Sequence, residues 1–286
     1  MNKIAAALAL PDTQACLATL HTLASAISMA EVRLDLMETF DLPRLIAEAP
    51  CPLIITCRPP REGGRFTGSE AERLDILAQA MDVGCAYVDC EWDSISVLAE
   101  RRRSATQIIA SRHWTDSTPA DVWPTYEALR GQADVVKLVG LAARPIDTLP
   151  IFHFLRRATS PVIGMAMGQA GQLTRLLAPC FPQSLLTYAA PSAAAITAPG
   201  QLSVREMTET YHVDLLGPHT AVHLHFCATD ASAQAVLEQN RRDGSGEAIG
   251  LPLLVAHEEA APLAEGLRAC LPRLIITADP ALAEKL

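Results

Sequence analysis

Ala133-Asp134-Val135-Val136-Lys137-Leu138-Val139-Gly140 is a run of β-branched and aliphatic residues interrupted by one lysine. That composition reads as a buried strand. Side chains alternate across a strand, so Val135, Lys137 and Val139 share a face. An ammonium between two valines loses its hydration unless it is paired, neutral, or placed at the wet end of a barrel or cleft. One reading is an edge-strand lysine whose stem snorkels to water. The other is a desolvated lysine held as a neutral amine that attacks a carbonyl carbon. The segments on either side decide between them.

Seven more strand-like segments accompany this one, at 3–10, 29–34, 52–58, 86–92, 107–113, 161–167 and 184–190. Helical stretches at 12–26, 42–48, 69–83, 94–103, 120–131, 146–158 and 172–177 separate them. Ser203 with Glu206 three residues on forms a capping-box pattern that predicts a closing helix. Strand and helix alternating eight times predicts an α/β fold, a (β/α)8 TIM barrel over 1–214, with a doubly wound sheet as the competing arrangement. In such barrels the chemistry sits at the C-terminal ends of the strands.

The chain of 286 residues is half hydrophobic and 19% charged, with 5% aromatic residues, which describes a well-packed protein with an aliphatic core. Its formal charge of −9 argues against nucleic acid or an acidic membrane as partner, although a local arginine cluster still suits an anionic small molecule. The eight cysteines contain no C-x-x-C pair and read as reduced, buried thiols, which predicts a cytoplasmic location. The apolar run at 4–10 reads as a first strand, since it meets Pro11-Asp12 where a signal peptide would carry a small-residue cleavage site. No run approaches the length of a membrane span.

Charged residues collect at the strand ends. The second strand carries Glu31, Arg33 and Asp35 on one face, and the third ends in Thr56-Cys57-Arg58 before Glu62-Gly63-Gly64. The fourth holds Asp89 and Glu91, the fifth ends in Ser111-Arg112-His113, and the sixth contains Lys137. Gly164, Gly168, Gly171 and Arg175 follow the seventh, and Thr197-Ala198-Pro199-Gly200-Gln201 the eighth. Any one of these alone reads as a surface ion pair. Alternating charges inside several apolar strands, however, each lose hydration unless they point into one shared polar site. The arginines suit a substrate carboxylate, and their positive field is expected to favour a neutral lysine. A histidine beside that lysine can move protons near neutral pH.

In this order and spacing the motifs identify the barrel, over residues 3–212, as resembling type I 3-dehydroquinate dehydratase. The resemblance implies a lyase that converts 3-dehydroquinate to 3-dehydroshikimate in the shikimate or quinate pathway. It implies that Lys137 forms the imine and that His113 and Glu62 handle the protons. It further implies that Arg175 takes the substrate carboxylate and that Glu31, Arg33, Arg58, Thr197 and Gln201 hold the substrate, with 198–201 as a lid. The lysine itself supplies the electron sink, so neither metal nor organic cofactor is implied, and a homodimer is expected by the same resemblance. Two departures stand out: Thr197 where the family has serine, and a longer segment between Arg175 and Gln201 containing Pro179, Pro182 and Pro191. Two other readings use the same residues: a barrel retained as a metabolite-binding regulatory module, and a Schiff-base aldolase.

Residues 215–286 are expected to form a small α/β appendage, with apolar segments at 221–226, 249–255 and 274–277 and helices around 232–239 and 258–270. Leu215-Leu216-Gly217-Pro218-His219, Asn240 with Gly244, and Leu274-Ile275-Ile276-Thr277 faintly resemble the substrate-binding half of shikimate dehydrogenase. Ala281 stands where that family has its lysine, so the resemblance implies a remnant without dehydrogenase activity; an unrelated appendage is the alternative. His219, His223 and His225 lie close together, but no cysteine or carboxylate completes a metal-binding set, so none is expected.

Overall fold

The computed structural model describes residues 3–103, 105–243 and 249–286. Eight parallel strands form one sheet: β1 (Ile4–Leu8), β2 (Met29–Arg33), β3 (Leu53–Thr56), β4 (Tyr87–Glu91), β5 (Gln107–His113), β6 (Val135–Leu141), β7 (Val162–Met167) and β8 (Thr187–Ala189). Their order is β7-β6-β5-β4-β3-β2-β1-β8. Closure comes where Val162 on β7 bridges Ser184, just ahead of β8. There the Val162 N–H donates to Gln183 O (2.9 Å) and the Leu185 N–H to Val162 O (2.8 Å). The chain is a (β/α)8 barrel, as its alternating segments imply.

Helices α1 (Thr13–Leu23), α2 (Leu42–Glu48), α3 (Glu70–Val83), α4 (Ile95–Arg101), α5 (Trp123–Leu129), α6 (Leu149–Arg157) and α7 (Gln172–Leu177) connect successive strands. Local chemistry sets their limits. Asp12 caps α1 by accepting from the Ala15 N–H at 2.8 Å. Ser69 and Glu72 close a reciprocal capping box at α3, and Gly84 ends that helix in the left-handed region. Helices α5 and α6 start later than their apolar patterns suggest, because each has a proline in its first turn. The Ser203–Glu206 capping box forms, with the Ser203 N–H donating to Glu206 Oε2 at 2.8 Å. In place of the ordinary closing helix expected there, the chain makes a short wide turn, Glu206–Thr210, with the Tyr211 N–H reaching Glu206 O.

Strand alternation divides the apolar residues into two cores. Ala5, Ala7, Ile54, Ile109, Val135, Val139, Ile163, Met165, Leu186 and Tyr188 fill the barrel interior. The opposite faces, among them Ala6, Val32, Ile55, Val88, Ala110, Val136 and Leu138, pack beneath the helices. Lys137 therefore projects inward from between Val135 and Val139, and the edge-strand reading is excluded.

Beyond the barrel, β9 (Val222–Cys227), β10 (Ile249–Leu254) and β11 (Leu274–Ala278) form a second parallel sheet in the order β10-β9-β11. Helices α8 (Asp230–Asp243), α9 (Ala260–Cys270) and α10 (Pro280–Ala283) accompany it. Its buried Leu224, Phe226, Leu251, Leu263 and Leu267 are continuous with the outer core of the barrel. Helix α9 approaches α6 closely, with Gly266 lying where a Cβ would strike the Leu149 side chain. Gly244 and the side chain of Asn240, both part of the C-terminal resemblance, lie outside the described residues. Among the described residues, no helix is long and apolar enough to cross a membrane.

Candidate active site

The C-terminal ends of the strands enclose a cavity of about 350 Å³. Lys137, His113, Glu62, Glu31, Arg33, Arg58, Arg175, Thr197 and Gln201 all line it. Val139, Leu141, Met165 and Met167 form an apolar wall.

Lys137 is only 3% exposed. Its Nζ lies 2.8 Å from Asp89 Oδ2, 3.1 Å from Glu31 Oε1 and 3.3 Å from Tyr188 Oη. The ammonium also sits 4.6 Å from the centre of the Tyr188 ring. This corrects the expectation of surroundings dominated by arginine: the charges in contact with the lysine are carboxylates. The physical reason is that Arg58, which shares Asp89 with the lysine, is itself paired with carboxylates. Its Nη2 faces Asp89 Oδ1 at 3.0 Å, and its Nη1 donates to Glu91 Oε1 at 2.6 Å and Ser111 Oγ at 2.7 Å. Ser111 in turn donates to Asp89 Oδ1 at 2.6 Å. Burial alone would raise the Asp89 carboxyl, but Arg58 and Lys137 together hold it far below the usual carboxylate range.

Two further pairs bring side chains to the cavity, Glu62 with His113 and Arg33 with Asp35 behind it. Glu62 Oε2 lies 2.9 Å from His113 Nδ1 and accepts the His113 backbone N–H at 3.1 Å. Burial raises the Glu62 carboxyl to about 7. Burial, with Arg58 and Lys137 nearby, pushes the imidazole well below its ordinary value, so the ring is neutral near pH 7. Arg33 grips Asp35 through two bonds, Nε–Oδ1 at 2.9 Å and Nη2–Oδ2 at 2.8 Å. Asp35 also accepts the backbone N–H groups of Arg58 and Arg65, which fixes the loop after β3.

Arg175 differs from the other arginines. It is 2% exposed, its Nη1 reaches only Met165 Sδ at 3.3 Å, and among the described residues its Nε has no hydrogen-bond partner. Burial lowers it to about 10. A desolvated guanidinium without a carboxylate, facing a cavity, has the chemistry to receive an anion. Across the mouth, the Thr197 N–H and Oγ1–H both donate to Gln201 Oε1, at 2.9 and 3.0 Å. Their loop is tied to the β7–α7 connection by the Gly168 N–H to Pro199 O bond at 3.1 Å.

A family model for type I 3-dehydroquinase matches residues 4–217. The chain belongs to the type I 3-dehydroquinase family. Membership makes it an enzyme of the 3-dehydroquinate dehydratase class. It is 34% identical over 191 residues to a 3-dehydroquinate dehydratase of Desulfotalea psychrophila, covering 62% of this chain and 83% of that one. It is 31% identical over 211 residues to a chloroplastic bifunctional 3-dehydroquinate dehydratase/shikimate dehydrogenase of Arabidopsis thaliana, covering 68% of this chain. The chain spans about a third of that longer relative, 34% of its length. A solved dehydroquinate dehydratase and shikimate dehydrogenase structure from S. pombe superposes with a TM-score of 0.64 at 23% identity, over 96% of this chain and 56% of the other. That likeness is one of fold, and at such coverage it takes in the C-terminal sheet as well as the barrel.

Two contacts of the lysine come from residues to which the sequence assigns no site role. Asp89 is visible there as a charge in an apolar strand, but its pairing with Lys137 is not. Tyr188 leaves a weaker signal: alternation from Leu186 places it on the interior face of the last strand. In the C-terminal sheet, His225 Nδ1 lies 2.8 Å from Thr277 Oγ1 and Nε2 3.0 Å from Asp279 Oδ1. Among the described residues, no group of three His, Cys, Asp or Glu is arranged to hold a metal.

Proposed function

We propose that this family member dehydrates 3-dehydroquinate to 3-dehydroshikimate through an imine on Lys137. The observation that carries the reading is a buried lysine amine lining the same cavity as the Arg175 guanidinium and the His113–Glu62 pair. The substrate carboxylate pairs with Arg175, and the ring hydroxyls meet Glu31, Arg33, Arg58, Thr197 and Gln201. The Lys137 amine attacks the ketone carbon. The ketone oxygen takes one proton from the nitrogen and one relayed by His113 and leaves as water, giving the protonated imine; the relayed proton is returned when that imine is hydrolysed. Neutral His113, oriented by Glu62, removes a proton from the adjacent methylene, and the electron pair is delocalised into the imine as an enamine. The hydroxyl beside the carboxylate then takes a proton from the imidazolium and departs as water. A second water hydrolyses the imine and restores the lysine. The lysine acts as electron sink, so the scheme calls for no metal or organic cofactor.

Borohydride added with substrate is expected to leave a covalent adduct on Lys137, and a coupled absorbance assay to record the conjugated enone. Normal turnover by Lys137→Ala would sink the imine mechanism. Tight product binding without any dehydration would favour the reading of the barrel as a metabolite-binding module.

We also infer that residues 215–286 are a degenerate shikimate dehydrogenase-like substrate-binding remnant. The fold-level superposition on the S. pombe protein supports this, as does Ala281 on α10, where the resemblance calls for lysine. Purified protein given shikimate and NADP is expected to produce no reduced nicotinamide; sustained reduction would overturn the inference.

A further inference from the structure

Glu91 ends β4 and is completely buried, yet it does not line the cavity. Arg58 holds its Oε1 from the barrel side at 2.6 Å, and Arg73 meets its Oε2 from α3, in the outer helical layer. Arg73 is itself fully buried and anchored by Glu70, at 2.5 Å from Nη2 and 3.0 Å from Nε, and by the Cys57 carbonyl at 3.2 Å. A chain of alternating charge therefore crosses the barrel wall: Glu70, Arg73, Glu91, Arg58, Asp89, Lys137.

A buried Arg–Glu–Arg triad is weak evidence of a stabilising role, because replacing the whole triad by well-packed apolar groups is often neutral or stabilising. Geometry points to a different use. Glu91 occupies Arg58 Nη1, which leaves Arg58 Nη2 to face Asp89 Oδ1 and leaves Asp89 Oδ2 to Lys137. Along this chain each cation lies between carboxylates: Arg73 between Glu70 and Glu91, Arg58 between Glu91 and Asp89, and Lys137 between Asp89 and Glu31. We propose that Glu91 is a positioning residue for the imine-forming lysine, acting through Arg58 and Asp89 and setting the charge balance at the amine. This deepens the imine reading and rests on it.

The charged and titratable groups around Lys137 are Glu31 and Arg33 from β2, Arg58 and Glu62 after β3, Asp89 from β4, His113 from β5, Arg175 from α7 and Tyr188 from β8. Those around Glu91 are Arg58, Arg73, Asp89, Glu62 and the Cys57 and Cys90 thiols. Glu91→Gln keeps an acceptor for Arg58 and deletes one negative charge from this set. With one negative charge fewer, proton loss within the buried cluster becomes easier. In Glu91→Gln the acid limb of both the pH–rate profile and the borohydride-trapping rate is expected to move about one unit lower. The plateau kcat is expected to fall roughly fivefold or more, with KM within about twofold, because the cavity wall is untouched.

An acid limb that superposes on that of the unmutated protein overturns the proposal, whatever happens to the overall rate. Should Glu91→Gln not fold, Glu91→Asp keeps the charge but withdraws it from Arg58. A lower kcat at unchanged KM supports the role there, and unchanged kcat overturns it. Failure of the imine reading is separately visible, as absent trapping on Lys137 in the unmutated protein, and would remove this inference with it.

Discussion

Lys137 Nζ and Asp89 Oδ2 meet at 2.8 Å across the barrel interior, from β6 to β4, passing the intervening β5. Ser111 of β5 bonds the same carboxylate, and Glu31 completes the lysine's shell from the far side of the barrel. Lys137 is therefore held by two carboxylates, and only its unprotonated amine can attack a carbonyl.

Replacing that lysine has two separable consequences. Lys137→Ala should lower turnover by about a thousandfold or more, equivalent to roughly 4 kcal/mol of barrier. The same change leaves Glu31 and Asp89 buried without their shared cation, which should destabilise the fold by about 3–5 kcal/mol. Urea unfolding at pH 7 reads the second effect. Adding Asp89→Asn should recover part of it without restoring turnover.

Glu62 gives a pH-dependent stability of opposite sign to that of an ordinary paired carboxylate. Folding raises its carboxyl from 4.5 to about 7, so the folded state binds the proton more tightly than the unfolded chain. Its favourable contribution is complete below about pH 4.5 and is lost as pH rises through about 7. Glu62→Gln should therefore stabilise the protein at pH 8 by about 2–3 kcal/mol, an advantage that vanishes toward pH 4.5. The same variant should lose most of its turnover, since a carboxamide cannot exchange a proton with His113. Melting curves across pH, beside the enone assay, check both halves; an equal stability difference at pH 4.5 and pH 8 would contradict the assignment.

Arg175 holds a charge that the free protein leaves uncompensated. Arg175→Met should raise KM for the anionic substrate by about a hundredfold, or roughly 3 kcal/mol of lost charge pairing. It should not destabilise the free protein, because a desolvated cation is replaced by an apolar side chain of similar length. Substrate should accordingly raise the melting temperature of the parent protein and hardly change that of the variant.

At Gly200 the backbone has φ +73°, and a Cβ would collide with the Gly168 carbonyl. Gly200→Ala should push the loop carrying Thr197 and Gln201 away from the cavity. The expected result is a fall in kcat/KM of about tenfold with the barrel still folded. Unchanged kinetics would show that this loop does not need its docked geometry.

The residues that line the cavity beside Lys137 were legible because strand ends in a (β/α)8 barrel converge on one mouth, whatever the sequence distance between them. Thr197 and Gln201 followed from the motif after the eighth strand, although their loop geometry did not. The wide turn after Ser203 escaped the sequence reading because a capping box marks where a helix starts, not how its carbonyls pair later. Arg73 looked like any charged helix residue. Only packing shows that its guanidinium lies under the helix against Glu91.

By itself the sequence determined the barrel and the strand face that Lys137 shares with Val135 and Val139, since both depend on period-two alternation and on the recurrence of strand and helix along the chain. Tertiary structure alone decided the lysine's electrostatic setting. Its two carboxylate partners lie 48 and 106 residues away in sequence. Which of the inward charges touch depends on how the closed sheet staggers its strands, and no local pattern encodes that distance.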